Sequence, residues 1–214
     1  MLRYLPFLAL LSALLLTACG DGYEERTDTN HLGYRHVYRV DPATGFKQGV
    51  AKEYDPAGNV SFEETYVDDQ LEGTRTLYHE NGQKIVEETY TNNQYDGPYA
   101  TWDSLGNKAS EGYYEAGKAA RDWTFYYPNG QIREVVRFAD NRENGPFREY
   151  YEDGTPKATG HYKGGDREDG ILHLYATTGD LERVLRCSVA LCQTVWTPDS
   201  TFAAPASPDP LTGE

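Results

Sequence analysis

Positive charge, cysteine and long apolar stretches are all in short supply in this chain. Lys and Arg number 20 against 34 Asp and Glu, a formal net charge of −14 over 214 residues. A surface of that sign repels phosphate backbones, which argues against nucleic acid as a partner, and it gains nothing from anionic lipid headgroups. The longest apolar run, residues 5–16, covers about twelve positions, fewer than the roughly 20 that a membrane-spanning helix needs. The five histidines (31, 36, 79, 161 and 173) have no metal-ligand spacing, and Cys187 and Cys192 have no further soft ligands beside them. Neither H-E-x-x-H nor G-x-S-x-G occurs. The acidic stretch 140–145 departs from a calcium loop, with Arg142 at a ligand position and Tyr151 where a bidentate Glu belongs. No residue set argues for a chemical reaction, a metal or a cofactor. The chain reads as a non-enzyme with no evident small-molecule substrate.

What is present is a repeat. Between residues 49 and 187 one pattern recurs six times, opened by Gly49, Gly73, Gly97, Arg121, Gly145 and Gly170 at spacings of 24, 24, 24, 24 and 25. Five residues into each unit comes an aromatic: Tyr54, Tyr78, Trp102, Tyr126, Tyr150 and Tyr175. A turn glycine follows at Gly58, Gly82, Gly106, Gly130, Gly154 and Gly179. A second ring closes the pattern at Tyr66, Tyr90, Tyr114, Phe138 and Tyr162, with Cys187 in its place in the last unit. Fixed periods of this length signal a stacked array.

Each unit reads as a β-hairpin. The segment before the turn is aromatic and β-branched, and polar residues followed by Gly suit a turn that needs positive φ. A second reversal is expected at Asp69, Asn93, Gly117, Asn141 and Gly165, residue types that tolerate a left-handed backbone. In the second strand Phe62, Glu64 and Tyr66 share one face, so that face is expected to be amphipathic and partly wet. Glu63, Glu87 and Glu111 occupy one repeat position and form a ladder on one face. Acid–base catalysis needs carboxylates in contrasting environments, and such a ladder reads as solubility. A lone hairpin cannot bury both of its rings, so ring should pack on ring along the array. At about 4.8 Å per strand, six units span roughly 60 Å. The expected fold is all-β, an elongated single-layer antiparallel sheet of stacked hairpins with a degenerate half-unit ahead of it at about residues 34–48.

The pattern G-x4-[YW]-x3-G, followed by E-x-x-Y and a further Gly or Asn turn, resembles the MORN repeat, in the bacterial YwqK-like variant whose members carry an antitoxin label. The resemblance covers residues 49–187. It implies a β-hairpin array used for binding or scaffolding rather than catalysis.

The flanks have their own signatures. Residues 1–18 read as an export signal, with Arg3 ahead of the apolar run. Leu16-Thr17-Ala18-Cys19 resembles the lipobox of bacterial lipoproteins, which implies cleavage before Cys19 and its acylation. Several acyl chains on one residue anchor firmly where a single chain does not. Gly20 after the cysteine implies sorting to the outer membrane, facing the periplasm or the surface; without an outer membrane, the site is the outer face of the plasma membrane. Residues 19–33 are polar and expected to be a flexible tether, 34–197 the repeat domain, and 198–214, with its prolines, a disordered tail. Cys187 and Cys192 are expected to be bridged in an exported protein.

The function expected is that of a non-catalytic, membrane-anchored lipoprotein whose repeat sheet is a protein-binding scaffold for an envelope or extracellular partner. Two alternatives stand beside it: an antitoxin or immunity-type protein that neutralises a toxin, and a carbohydrate-binding surface protein. Tyr99, Trp102, Trp123 and Tyr126 thicken the aromatic character of the middle units and mark the candidate binding surface. The same rings could instead be core with hydroxyls at the rim. Solvent exposure separates the two readings.

Overall fold

The computed structural model describes residues 22–206, so the expected export signal, Cys19 and residues 207–214 lie outside the described residues. Among the described residues sixteen strands form one antiparallel sheet, with successive strands adjacent in space. The chain enters through β1 (Glu24–Thr29) and β2 (Arg35–Val40). Next come β3 (Gly49–Tyr54) with β4 (Val60–Val67), and the short β5 (Gln70–Leu71) leading into β6 (Gly73–Tyr78) and β7 (Lys84–Thr91). The middle consists of β8 (Gln94–Trp102), β9 (Lys108–Glu115), β10 (Lys118–Tyr126) and β11 (Ile132–Ala139). The array ends with β12 (Arg142–Tyr150), β13 (Pro156–Tyr162), β14 (Gly170–Tyr175), β15 (Leu181–Ser188) and β16 (Leu191–Trp196). The sheet is open, as the repeat pattern implies.

Two kinds of reversal alternate along it. At the six turn glycines φ lies between +81° and +92°, and each glycine N–H donates to the carbonyl three residues back at 2.8–3.0 Å. At the opposite rim Asp68 with Asp69, Asn92 with Asn93, and Asp140 with Asn141 all take positive φ, as a two-residue type I′ link requires. The opening glycines have a different role, because they sit within or at the start of strands and not at reversals. Gly97 has φ of +137°, and the β7–β8 pairing jumps there from Tyr90↔Tyr95 to Glu88↔Tyr99. Each is a bulge, where positive φ lets the strand kink. Arg121 holds the same position at φ +62°, and the β9–β10 pairing breaks across it.

Strand alternation divides the sheet into two faces. One face carries the second rings and a line of residues across mid-hairpin that runs Glu64, Arg75, Glu88, Tyr99, Gly112, Trp123, Val136, Phe147, Gly160 and Leu172. We call this the packed face, since Val136, Phe147, Tyr162 and Leu172 bury one another on it. Side-chain size alternates along the line. Gly112 lies between Tyr99 and Trp123, and a Cβ there would come within 2.2 Å of the Trp123 ring; at Gly160 it would come within 2.9 Å of Phe147. The second rings are linked through an intervening residue instead of touching in series. Tyr95 lies 4.7 Å from Tyr90 and 5.0 Å from Tyr114, and Trp123 lies 5.4 Å from both Tyr114 and Phe138.

Both ends differ from what composition implies. Residues 24–29, within the stretch expected to be a tether, pair with β2 along their whole length. The Asn30 side chain accepts from the N–H groups of Leu32 and Tyr34, Gly33 takes φ of +85°, and Tyr38 Oη donates to Asp28 at 2.8 Å. Polar, exposed residues suit an edge strand, so hydrophilicity alone misleads there. At the other end residues 198–206, expected to be disordered, fold back on the sheet. Trp196 Nε1 donates to the Phe202 carbonyl at 3.0 Å, and His173 Nε2 lies 2.8 Å from the Pro205 carbonyl. Cys187 and Cys192 face each other across β15–β16 and are joined by a disulfide of 2.07 Å. The link they close, Val189 and Ala190, has positive φ at both residues.

Candidate functional site

The first and second rings of each hairpin point to opposite sides. Trp102 and Tyr126 directly follow Thr101 and Phe125, whose side chains are on the packed face, so alternation places both rings on the other, open face. The four aromatics marked in the sequence therefore divide in two. Tyr99 and Trp123 are packed together, centroids 5.4 Å apart, with Trp123 only 6% exposed and its Nε1 donating to Ala120. They are core. Trp102 and Tyr126 are half-buried on the open face, and Trp102 lines a shallow depression of about 590 Å³.

The depression spans β8, β9 and β10, with Pro98, Ala100, Tyr113 and Thr124 on its floor and Arg121 and Asp122 at one end. Its charges are paired. Lys108 Nζ lies 2.7 Å from Glu111, and Tyr126 Oη donates to the same carboxylate. Those interactions, the lysine's first, hold the Glu111 carboxyl below its ordinary range. Burial first, then the Glu111 hydrogen bond, pushes the Tyr126 phenol up to about 12. Lys84 bonds Glu87 and sits 5.2 Å above the Trp102 ring. Arg121 stacks on Tyr113 at 3.8 Å and reaches Glu115 at 2.6 Å, and Arg137 grips Asp122 with two hydrogen bonds of 2.8 and 3.0 Å. With Lys52 3.2 Å from Glu63, the carboxylates 63, 87 and 111 become the acidic half of an ion-pair ladder. Such a face can stack rings and accept or donate hydrogen bonds at modest cost in desolvation.

Two ionisable groupings on the packed face escaped the sequence. Glu64 and Glu88 are 6% and 7% exposed, where a partly wet face was expected. Arg75 lies between them, 3.3 Å from Glu64 and 3.7 Å from Glu88, and the hydroxyls of Tyr66, Tyr90 and Tyr95 donate to the two carboxylates at 2.7–3.0 Å. A buried charge persists only when paired and hydrogen-bonded in this way. His36, 3.9 Å from Glu64, is held below its ordinary pKa chiefly by burial and next by Lys47. Further along, Glu134 directly opposes Glu149 across β11–β12. Burial, reinforced by Glu143 and Glu149, pushes the Glu134 carboxyl up to about 7. The signal for the first grouping was available, since Glu64, Arg75 and Glu88 share the mid-hairpin line that the repeat register defines.

The family model described as "MORN repeat variant" matches residues 47–68, 71–92, 122–140 and 143–163. This is a MORN-repeat protein. Those four MORN matches fall on the hairpins β3–β4, β6–β7, β10–β11 and β12–β13. Between the second and third matches lies the β8–β9 unit, which holds Tyr99, Trp102 and Tyr113, with Arg121 just beyond it. The depression thus lies largely on a hairpin that falls between two family matches. No curated protein matches the chain.

Proposed function

We propose that this MORN-repeat chain is an exported lipoprotein of the YwqK-like group, anchored through acylated Cys19, whose open sheet face is a non-catalytic scaffold for another envelope or extracellular protein. One observation carries the binding reading. The second rings pack against neighbouring rings on the other face, whereas Trp102 lines an open-face depression on the hairpin between two family matches, with Tyr126 bonded to its Glu111. Aromatic and Arg residues in a partly desolvated hollow are the usual anchors of a protein interface. Anchoring rests on the pattern of residues 1–19 and places the molecule on the outer membrane, or on the outer face of the plasma membrane where no outer membrane exists.

The test is affinity capture from an envelope fraction with the full-length, acylated chain, under mild crosslinking, comparing wild type with Thr124→Arg, which fills the depression. Capture that Thr124→Arg abolishes supports the scaffold; absence of any crosslinked partner overturns it. Labelled fatty acid should enter the wild-type chain and not Cys19→Ala. A carbohydrate-binding role is a second reading, favoured by the same half-exposed rings, and silence on a glycan array with unchanged tryptophan fluorescence removes it.

A further inference from the structure

Three tryptophans occur in the chain, and two of them have their indole N–H satisfied by a backbone carbonyl. The third does not: among the described residues Trp102 Nε1 has no hydrogen-bond partner, and the ring faces the open side under Lys84. Trp196 shows what an open-face indole does when covered. It pairs with Val184 across β15–β16, on the same face as His173, which opposes Val184 from β14. The strap of residues 197–206 lies over this group. Its carbonyls at Phe202 and Pro205 meet the Trp196 indole and the His173 imidazole, and Val184 and His173 are left 0% and 3% exposed. At its C-terminal end, then, the open face already holds a segment of polypeptide through ring nitrogens, turned at 197–200, and 200–206 (STFAAPA) bears no charged side chain.

We propose that the Trp102 depression, on the same face as that seat, receives a neutral segment containing Pro and Ala from a partner protein, with one backbone carbonyl accepting from Trp102 Nε1. This rests on the scaffold reading and names the partner's chemistry. The surface is the same face of the same sheet, and the strap leaves its middle uncovered. The charge balance fits a neutral occupant, since Lys108 with Glu111, Arg137 with Asp122 and Arg121 with Glu115 are already matched. An acidic or basic segment would have to break one of these pairs, whereas a neutral one need only lie across Pro98, Ala100 and Thr124. Small residues and proline can approach such a floor closely, and proline lowers the entropy cost of holding the segment in place.

The test uses the full-length chain, 15N-labelled, and a synthetic peptide with the uncharged sequence of residues 200–206, its ends blocked. The three indole N–H signals act as separate reporters. On titration the Trp102 signal should move downfield as its proton is bonded, while those of Trp123 and Trp196 hold. By calorimetry Trp102→Phe, which keeps a ring and removes the donor, should weaken peptide binding by about fivefold, the worth of one hydrogen bond. Thr124→Arg should abolish it. The inference is overturned if only the Trp196 signal moves, which would mean displacement of the strap from its own seat. It is equally overturned if Trp102 responds to chitotriose and not to the peptide, or if its signal shifts with protein concentration alone, marking a second copy as occupant. Should the peptide leave Trp102 unmoved while an envelope partner is still lost in Thr124→Arg, this inference falls and the scaffold reading stands.

Discussion

Replacing Gly112 by Ala gives the packed face a test of sign as well as size. Gly112 takes an ordinary backbone conformation, with no positive φ. On backbone grounds alone the change should therefore stabilise by about 0.4–1 kcal/mol through a less entropic unfolded chain. Packing argues the other way. The added Cβ would lie 2.2, 2.3 and 2.6 Å from three atoms of the Trp123 indole, and no flexible end is available to yield. Trp123 would have to leave its place among Tyr99, Tyr114 and Phe138, each 5.4 Å away by centroid. Overpacking costs about 1–3 kcal/mol, and breaking each aromatic pair adds ~0.5–1.5 kcal/mol, so a net destabilisation of about 3 kcal/mol is expected. Urea unfolding followed by far-ultraviolet circular dichroism measures it. Trp123→Leu in the Gly112→Ala background should recover part of that stability, giving a favourable coupling between the two sites. A Gly112→Ala protein as stable as wild type, or more so, would refute the size alternation along this line.

Other consequences are smaller. Reduction of the Cys187–Cys192 bridge should cost about 2 kcal/mol by the chain-entropy estimate for so short a loop, seen as faster amide exchange in β15 and β16. Val189→Asn with Ala190→Gly should restore much of it, because a β-branched residue at φ +48° is poorly suited to a type I′ link. Glu134 has a folded pKa raised to about 7, so it favours the folded state most fully below the unfolded value near 4.5. That contribution is lost as pH rises from there through 7. Glu134→Gln should therefore gain on the order of 1 kcal/mol at pH 8, after discounting for solvent screening, and nothing at pH 4 by thermal melts. Arg121→Gly should raise the melting midpoint, since glycine is relaxed at φ +62°, and the stacking on Tyr113 and ion pair with Glu115 that it removes are at the surface.

The repeat made the architecture legible because its fixed residues answer backbone demands. Turn glycines and the Asp/Asn links announce reversals through φ, and their spacing gives the strands directly. The same logic left the opening glycines without a role, since a bulge and a turn ask for the same positive φ and differ only in what the neighbouring strand does. Gly112 and Gly160 stayed invisible for a different reason. Each is glycine only because of a ring on the neighbouring strand, a cross-strand relation that a reading along the chain does not contain. The candidate surface was half legible: composition drew attention to the middle aromatics without regard to face, and alternation over an odd separation sets Tyr99 and Trp102, three residues apart, on opposite sides of the sheet. Polarity misled at both ends, where 24–29 is held by backbone pairing and 198–206 by ring nitrogens bonding its carbonyls.

The division into a packed face and an open binding face is tested most directly by hydroxyl-radical footprinting of the full-length protein, purified and again in native envelopes. In the purified protein Trp102 and Tyr126 should be oxidised readily, while Trp123 and Phe147 are spared. In envelopes the first pair should become protected and the second remain unchanged. Oxidation of Trp123 at the rate of Trp102, or no envelope-dependent protection of Trp102, would contradict the account.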